Sequence, residues 1–296
     1  MAELRIGTCS WKYKEWRGII YQSSNPDHFL SEYARHFNTV EIDQWFWSLF
    51  AENTVRLPDR QTVENYAAAV PPDFRFTVKA ANSITLTHFY RQRREDPLIR
   101  NPHFLSPTLT REFLDRLAPM QPLLGPVMFQ FEYLNRQKMP SLGAFLQHLE
   151  AFLPRLPQTF TYAIEIRNPH YLNRAFFQFL QRHHIVPVLL QGYYMPNVVE
   201  VYQKFRTLIR DTVVIRLHGP DRSGIEALSG NRWDRVVIPR DDDLQAIAWM
   251  VKDLLSRGST VYINVNNHYE GSAPLTIKRL QKILNEGGST NGESNA

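Results

Sequence analysis

The chain is poor in the features that announce a function on their own. It holds one cysteine, Cys9, in 296 residues. That excludes a disulfide framework and a multi-cysteine zinc site, and it fits a reducing compartment, so the expected location is the cytoplasm. No stretch reaches the ~20 uninterrupted apolar residues of a membrane helix, and Met1 to Cys9 carries no apolar core of a secretion signal. The expectation is a protein that is not exported and does not touch a membrane. Dinucleotide and P-loop glycine patterns are missing, as are the nucleophilic serine elbow and the two-histidine zinc helix. Glycine is scarce, with 13 residues against 6 Trp, 13 Tyr and 18 Phe, which excludes a low-complexity or linker-dominated chain. Charge of one sign is scarce too: 34 Lys and Arg against 29 Asp and Glu leave +5. Such a balance permits an anionic partner and requires none.

What is present is alternation. Runs rich in β-branched and aromatic residues predict strands at Arg5 to Ser10, Thr39 to Trp45, Phe74 to Ala80, Val127 to Phe131, Tyr162 to Arg167, Val186 to Leu190, Thr212 to His218 and Thr260 to Asn266. Between and after them, apolar residues at three- and four-residue spacing predict helices at Phe29 to Phe37, Thr62 to Val70, Thr110 to Met120, Leu142 to Leu153, Ala175 to His183, Val198 to Ile209, Leu244 to Leu255 and Leu275 to Leu284. Eight strand–helix units imply a parallel sheet, and a closed (β/α)8 TIM barrel over 1–284 fits their number; an open doubly wound sheet is the alternative. Two gaps, Ala81 to Pro126 and Gly219 to Ser259, exceed what one unit needs and predict extra loop or helix. The ending NEGGSTNGESNA, 285–296, has nothing to bury and is expected to be disordered.

Alternate residues of a strand face opposite sides. Val40 and Ile42 alternate with Glu41; Phe76 and Val78 with Thr77 and Lys79; Ile164 and Ile166 with Glu165 and Arg167; Ile215 and Leu217 with Arg216 and His218. The polar set therefore faces the barrel interior, near the carboxyl ends where barrel enzymes place their chemistry. Burying an unpaired charge costs several kcal/mol, so Glu41, Lys79, Glu165, Arg167 and Arg216 must neutralise one another in a structural network, meet water, or await a ligand. His88 in the first long gap and Asn266, Asn267 and His268 after the last strand extend this set. His88, His218 and His268 with the two glutamates suit a divalent metal, but the arginines argue against it, because guanidinium repels a metal and grips phosphate or carboxylate. The cofactor stays open, and an anion grip is preferred.

At this point the residues match a known family. GTCSWKYKEWRG (Gly7 to Gly18), YARHFNTVEID (Tyr33 to Asp43), FRFTVKA (Phe74 to Ala80), Thr87-His88, LGPVMFQF (Leu124 to Phe131), AIEIRNPHY (Ala163 to Tyr171), VIRLHG (Val214 to Gly219) and YINVNNHYEGSAP (Tyr262 to Pro274) resemble the YecE-like proteins, the domain of unknown function number seventy-two. The resemblance implies a barrel of the xylose isomerase and endonuclease IV kind. It also implies a polar pocket at Glu41, Lys79, His88, Glu165, Arg167, Arg216, His218, Asn266, Asn267 and His268, without implying a reaction. Fold-level likeness to endonuclease IV suggests DNA binding or cleavage only by analogy. The chain departs from the family pattern at Asn168, where relatives carry His, and at Asp43 to Trp47 after the second strand.

Other signals are double-edged. Cys9 reads as a small core residue rather than a nucleophile. Trp11, Trp16, Trp45 and Trp47 suit either stacking on a base or sugar ring or packing of loops. Arg91, Arg93 and Arg94 suit a phosphate patch, but Glu95 and Asp96 follow and favour a solvated face. Asp241, Asp242 and Asp243 read as helix-opening acids, and His183 and His184 as a helix end. The leading expectation is a protein that binds a phosphate-bearing or otherwise anionic ligand, DNA or RNA included, with phosphoester hydrolysis as the first reaction to test. Lys79, His88, Arg167, Arg216, Asn266 and Asn267 would then bind, while Glu41 or Glu165 act as base and His218 or His268 as acid or metal ligand. The alternatives are a sugar or sugar-phosphate isomerase or epimerase using the two glutamates, and a non-catalytic binding module. No motif names a protein partner.

Overall fold

All eight strand-like runs form strands in the computed structural model, which describes residues 2–50, 53–91, 93 and 95–286. They are β1 (Glu3–Thr8), β2 (Thr39–Ile42), β3 (Arg75–Lys79), β4 (Leu124–Gln130), β5 (Tyr162–Glu165), β6 (Val186–Gly192), β7 (Thr212–Gly219) and β8 (Thr260–Val265). Their order is a closed barrel, β1 through β8 in sequence. Parallel pairing of β1 with β8, from Glu3 opposite Thr260 to Thr8 opposite Val265, closes it and rules out the open sheet.

Helices α1 (Phe29–Tyr33), α2 (Arg60–Ala68), α4 (Pro107–Arg116), α5 (Leu142–Phe152), α6 (Arg174–Arg182), α7 (Val198–Phe205), α9 (Asp241–Ser256) and α10 (Ala273–Glu286) follow the strands, with α3 (Asn82–Thr85) and α8 (Arg222–Ser229) inside the two long gaps. Several begin earlier than their apolar periodicity because a capping side chain starts them: Asp59 accepts the Thr62 N–H, Ser106 that of Leu109 and Asn173 that of Phe176. Helix α1 is shorter than expected, since the Arg35 and His36 N–H groups close tighter three-residue turns on the Glu32 and Tyr33 carbonyls. Helix α10 runs through Asn285 and Glu286, two residues past the expected boundary, and 287–296 lie outside the described residues. Strands β2 and β5 stop at Ile42 and Glu165 rather than Trp45 and Arg167. After β2 the Phe46 N–H closes a turn on the Asp43 carbonyl, and after β5 the Arg167 side chain folds back onto Glu165. No helix among the described residues is long and apolar enough to cross a membrane.

The chain divides into two compact units, one of residues 1–40 with 189–296, the other of 41–188. In the first, Tyr33 is buried between β1 and β2. Its hydroxyl accepts the Thr8 N–H at 2.8 Å and donates to the Thr39 carbonyl at 3.0 Å. Gly7 makes room for this wedge, because a Cβ there would lie 1.8 Å from the Thr39 oxygen and 2.8 Å from the Tyr33 hydroxyl. The same unit buries Glu270 completely. Its carboxylate takes the Arg240 N–H and the Thr276 hydroxyl, both at 2.7 Å, and is ion-paired with Arg279.

The second unit packs aromatic against aromatic. Phe131 meets Phe145 of α5 edge-on at 4.8 Å, and Phe129 meets Phe152 at 5.5 Å. These contacts put the odd-numbered residues of β4 on the helix side and Gln130 on the other. Asn168, a departure from the pattern that the resemblance implies, is buried and holds Leu134 by both backbone groups, accepting its N–H at 2.8 Å and donating to its carbonyl at 2.9 Å. An amide supplies this donor and acceptor pair on one planar group, so the departure is explained by the loop it fastens. Tyr33→Phe removes the acceptor of a buried N–H and is expected to cost about 1–3 kcal/mol, read as a lower urea midpoint with an unchanged denaturant slope.

Candidate functional site

In unit 41–188, strand register brings the polar residues together. Lys79 pairs with Met128, and Gln130, two residues on, pairs with Glu165. Paired residues of parallel strands share a face, so Lys79, Gln130 and Glu165 stand on the side away from the helices, at the carboxyl ends of three neighbouring strands. Arg167, just past β5, donates from Nε to Glu165 Oε1 at 2.6 Å and reaches the Gln130 Oε1 from Nη2 at 3.4 Å. The carboxylate and the amide hold one edge of the guanidinium, which sets the plane of the fork. Lys79 Nζ lies 4.0 Å from the centre of the Phe46 ring. Phe46 is itself positioned by Asn82, whose N–H donates to the Phe46 carbonyl while its side chain accepts the Ser48 and Leu49 N–H groups at 2.9 and 3.1 Å. Glu41 is buried in β2 of the same unit.

His88 is buried in the loop after α3, where the loop bridges back at Arg100. Its Nδ1 lies 2.9 Å from the Thr87 hydroxyl. Burial first, then Lys138 and Arg100, holds His88 below the ordinary histidine pKa, with Glu132 opposing. Nearby loops carry exposed rings. Trp47 is 64% exposed and stands 6.0 Å from the ring of Tyr90, which is also exposed. Trp45 is half-buried against Tyr66, whereas Trp11 and Trp16 of the other unit are core residues. The tryptophans therefore split between core and surface. Arg93 offers its backbone N–H to Asp96, Arg91 reaches the Asp96 carbonyl, and Arg94 lies outside the described residues.

In unit 1–40 with 189–296, Arg216 is buried in β7, in register with Asn264 of β8. His218 is held on both ring nitrogens, Nε2 at 3.6 Å from Cys9 Sγ and Nδ1 at 3.3 Å from the Tyr193 hydroxyl. Asn266 and Asn267, expected to bind ligand, spend their side-chain oxygens on turns: they accept the His268 and Ala273 N–H groups at 2.9 and 2.8 Å. His268 pairs instead with Glu226, its Nε2 being 3.1 Å from Oε1. Neither Glu226 nor Phe46 stood out in the sequence. For Glu226 a signal existed, the i,i+4 pair with Arg222 on a helix opened by Asp221. Asp241 to Asp243 do form the first turn of α9, but the cap position is Arg240, so they act through the helix dipole and through the Asp241 ion pair with Arg279. His183 caps the end of α6 as expected. Among the described residues no three His, Cys, Asp or Glu side chains converge as metal ligands.

A family model described as protein of unknown function DUF72 matches residues 5–295. The protein YecE of Escherichia coli strain K12, described as a UPF0759 protein, is 28% identical over 171 residues, 57% of this chain and 50% of that protein. The chain thus spans about half the length of the curated relatives it matches. A DUF72 family protein of Enterococcus faecalis V583 superposes with a TM-score of 0.68 at 20% identity, over 95% of both chains. One from Thermotoga maritima MSB8 superposes with a TM-score of 0.65 at 22% identity, over 96% of this chain and 99% of that one. At these identities the structural likeness speaks for the fold alone.

Burial holds His88 and His268 neutral, so the unfolded chain binds more protons below the ordinary histidine value of 6.5. Their contribution to stability is complete above that pH and is lost as pH falls through the lowered folded-state values. The urea midpoint is expected to drop between pH 7 and pH 5, and to drop less in His88→Asn; an equal drop in the variant would contradict this assignment.

Proposed function

The chain belongs to the DUF72 family of proteins of unknown function, and from the chemistry of its own site we propose that it binds a phosphate-bearing or similarly anionic ligand at the carboxyl ends of β3 to β5. The observation that carries this reading is the shared face of Lys79, Gln130 and Glu165, with Arg167 oriented by the last two. An ammonium and a pre-oriented guanidinium are the groups that recognise phosphate oxygens, and a guanidinium held on one edge loses little further freedom on binding. Glu165, engaged with Arg167 at 2.6 Å, orients the fork, which favours recognition over a general-base role. His88, kept neutral by burial and two nearby cations, sits in the same unit and adds a hydrogen-bonding group. In this reading the protein works in the reducing cytoplasm, where Cys9 stays a reduced, buried thiol.

Inorganic phosphate, a sugar phosphate and a short single-stranded DNA are the probes that separate the sources of one chemistry. At least one is expected to raise the melting temperature, and Lys79→Ala and Arg167→Ala are each expected to weaken that ligand about tenfold, the worth of one charge-assisted contact. Steep loss of DNA affinity with salt marks a polymer ligand. Failure of all three probes to bind wild-type protein at low salt overturns the reading.

A further inference from the structure

The insertion after β7 and the turn after β8 bring together a histidine–carboxylate pair that the anion site does not use. Helix α8 opens on Asp221, whose carboxylate accepts the Gly224 N–H at 2.9 Å and so already occupies the positive end of the helix. One turn on, Glu226 Oε1 accepts Arg222 Nε at 2.8 Å and lies 3.1 Å from His268 Nε2. The Trp233 ring meets the imidazole edge-on, 5.1 Å between centres at 79°, and the backbone N–H of His268 is tied to Asn266. The ring is held, yet its side chain keeps 15% exposure and that of Glu226 keeps 30%. When Nε2 donates to the carboxylate, the lone pair of the neutral ring is on Nδ1. Among the described residues Nδ1 has no hydrogen-bond partner, and it is not a buried atom.

We propose that His268 and Glu226 form a proton-accepting dyad, in which Nδ1 of His268 takes the proton of a bound hydroxyl or water and Glu226 is the positioning residue. The proton passes from oxygen to Nδ1, the oxygen keeps the electron pair, and the charge that appears on the ring is met by the carboxylate at Nε2. This is the arrangement that fixes the tautomer of a general base in hydrolases of unrelated folds. The ligand class it serves is one whose reacting group is a hydroxyl or an attacking water. The charged groups facing the ring are Glu226 and Arg222, and Arg222 in turn feels Tyr193 and Tyr13. Burial and Arg222 hold His268 below its ordinary value against the pull of Glu226, so the ring is neutral and able to accept at pH 7. The dyad stands independently of Lys79 and Arg167, because its test reads one ring rather than ligand binding.

Histidine-selective nitrogen NMR of the full chain, followed through a pH titration, decides it. Wild-type His268 is expected to carry its proton on Nε2 with Nδ1 bare. Glu226→Gln should lower the proton affinity of the ring about tenfold and mix the tautomers, whereas Arg222→Ala should raise that affinity. Opposite signs cannot come from general loosening, and the wild-type tautomer and the Arg222→Ala shift suffice if Glu226→Gln does not fold. Diethyl pyrocarbonate is expected to modify His268 at pH 7, read by peptide mass. A wild-type ring protonated at Nδ1, a tautomer and affinity indifferent to Glu226→Gln, or a His268 that resists the reagent would each overturn the dyad.

Discussion

A charge that leaves water must find a partner, and that constraint organises this molecule. An ionised group buried without one costs several kcal/mol, more than most single contacts return. Glu165 at the end of β5 and Glu270 before α10 are both fully buried carboxylates, and they meet the requirement differently. Glu165 is answered two residues later by Arg167, whose guanidinium also reaches Gln130 on the neighbouring strand. Glu270 is answered by Arg279 of α10, by Thr276 and by a backbone N–H from the insertion before α9. The first arrangement leaves an oriented guanidinium at the end of a strand, where a barrel places its chemistry. The second fastens a long connection to the last helix and is structural.

The same economy shapes the loops. Tyr33, Asn82 and Asn168 are buried polar side chains whose groups satisfy backbone that the ladder has abandoned. Each works where a strand ends and the chain turns, so the irregular segments around the site are held by side chains in fixed positions rather than by secondary structure. Asn82 holds the turn that sets Phe46 beside Lys79, and strands β2 and β5 end short of the residues expected to extend them.

Periodicity made the barrel legible. Alternation in β3 and β5 separated Val78 and Ile164 from Lys79 and Glu165, and the observed register keeps that separation. Helix ends were read less well, since Asp59, Ser106 and Asn173 start helices ahead of the first apolar repeat. Asn266 and Asn267, read as ligand contacts because they follow β8 among polar neighbours, each also close a turn through the side-chain oxygen, a use of Asn that looks the same in sequence.

By itself, then, the sequence determined the class of fold, the strands that carry charge, and the family, because side-chain alternation and local motifs depend only on near neighbours along the chain. Tertiary structure alone decided which charges meet. Arg167 met Glu165 and Gln130, His218 came to lie between Cys9 and Tyr193, and His268 found Glu226, 42 residues away. Ion pairs and hydrogen bonds act over a few ångströms in space, and no local pattern records which distant segment the fold will bring within reach.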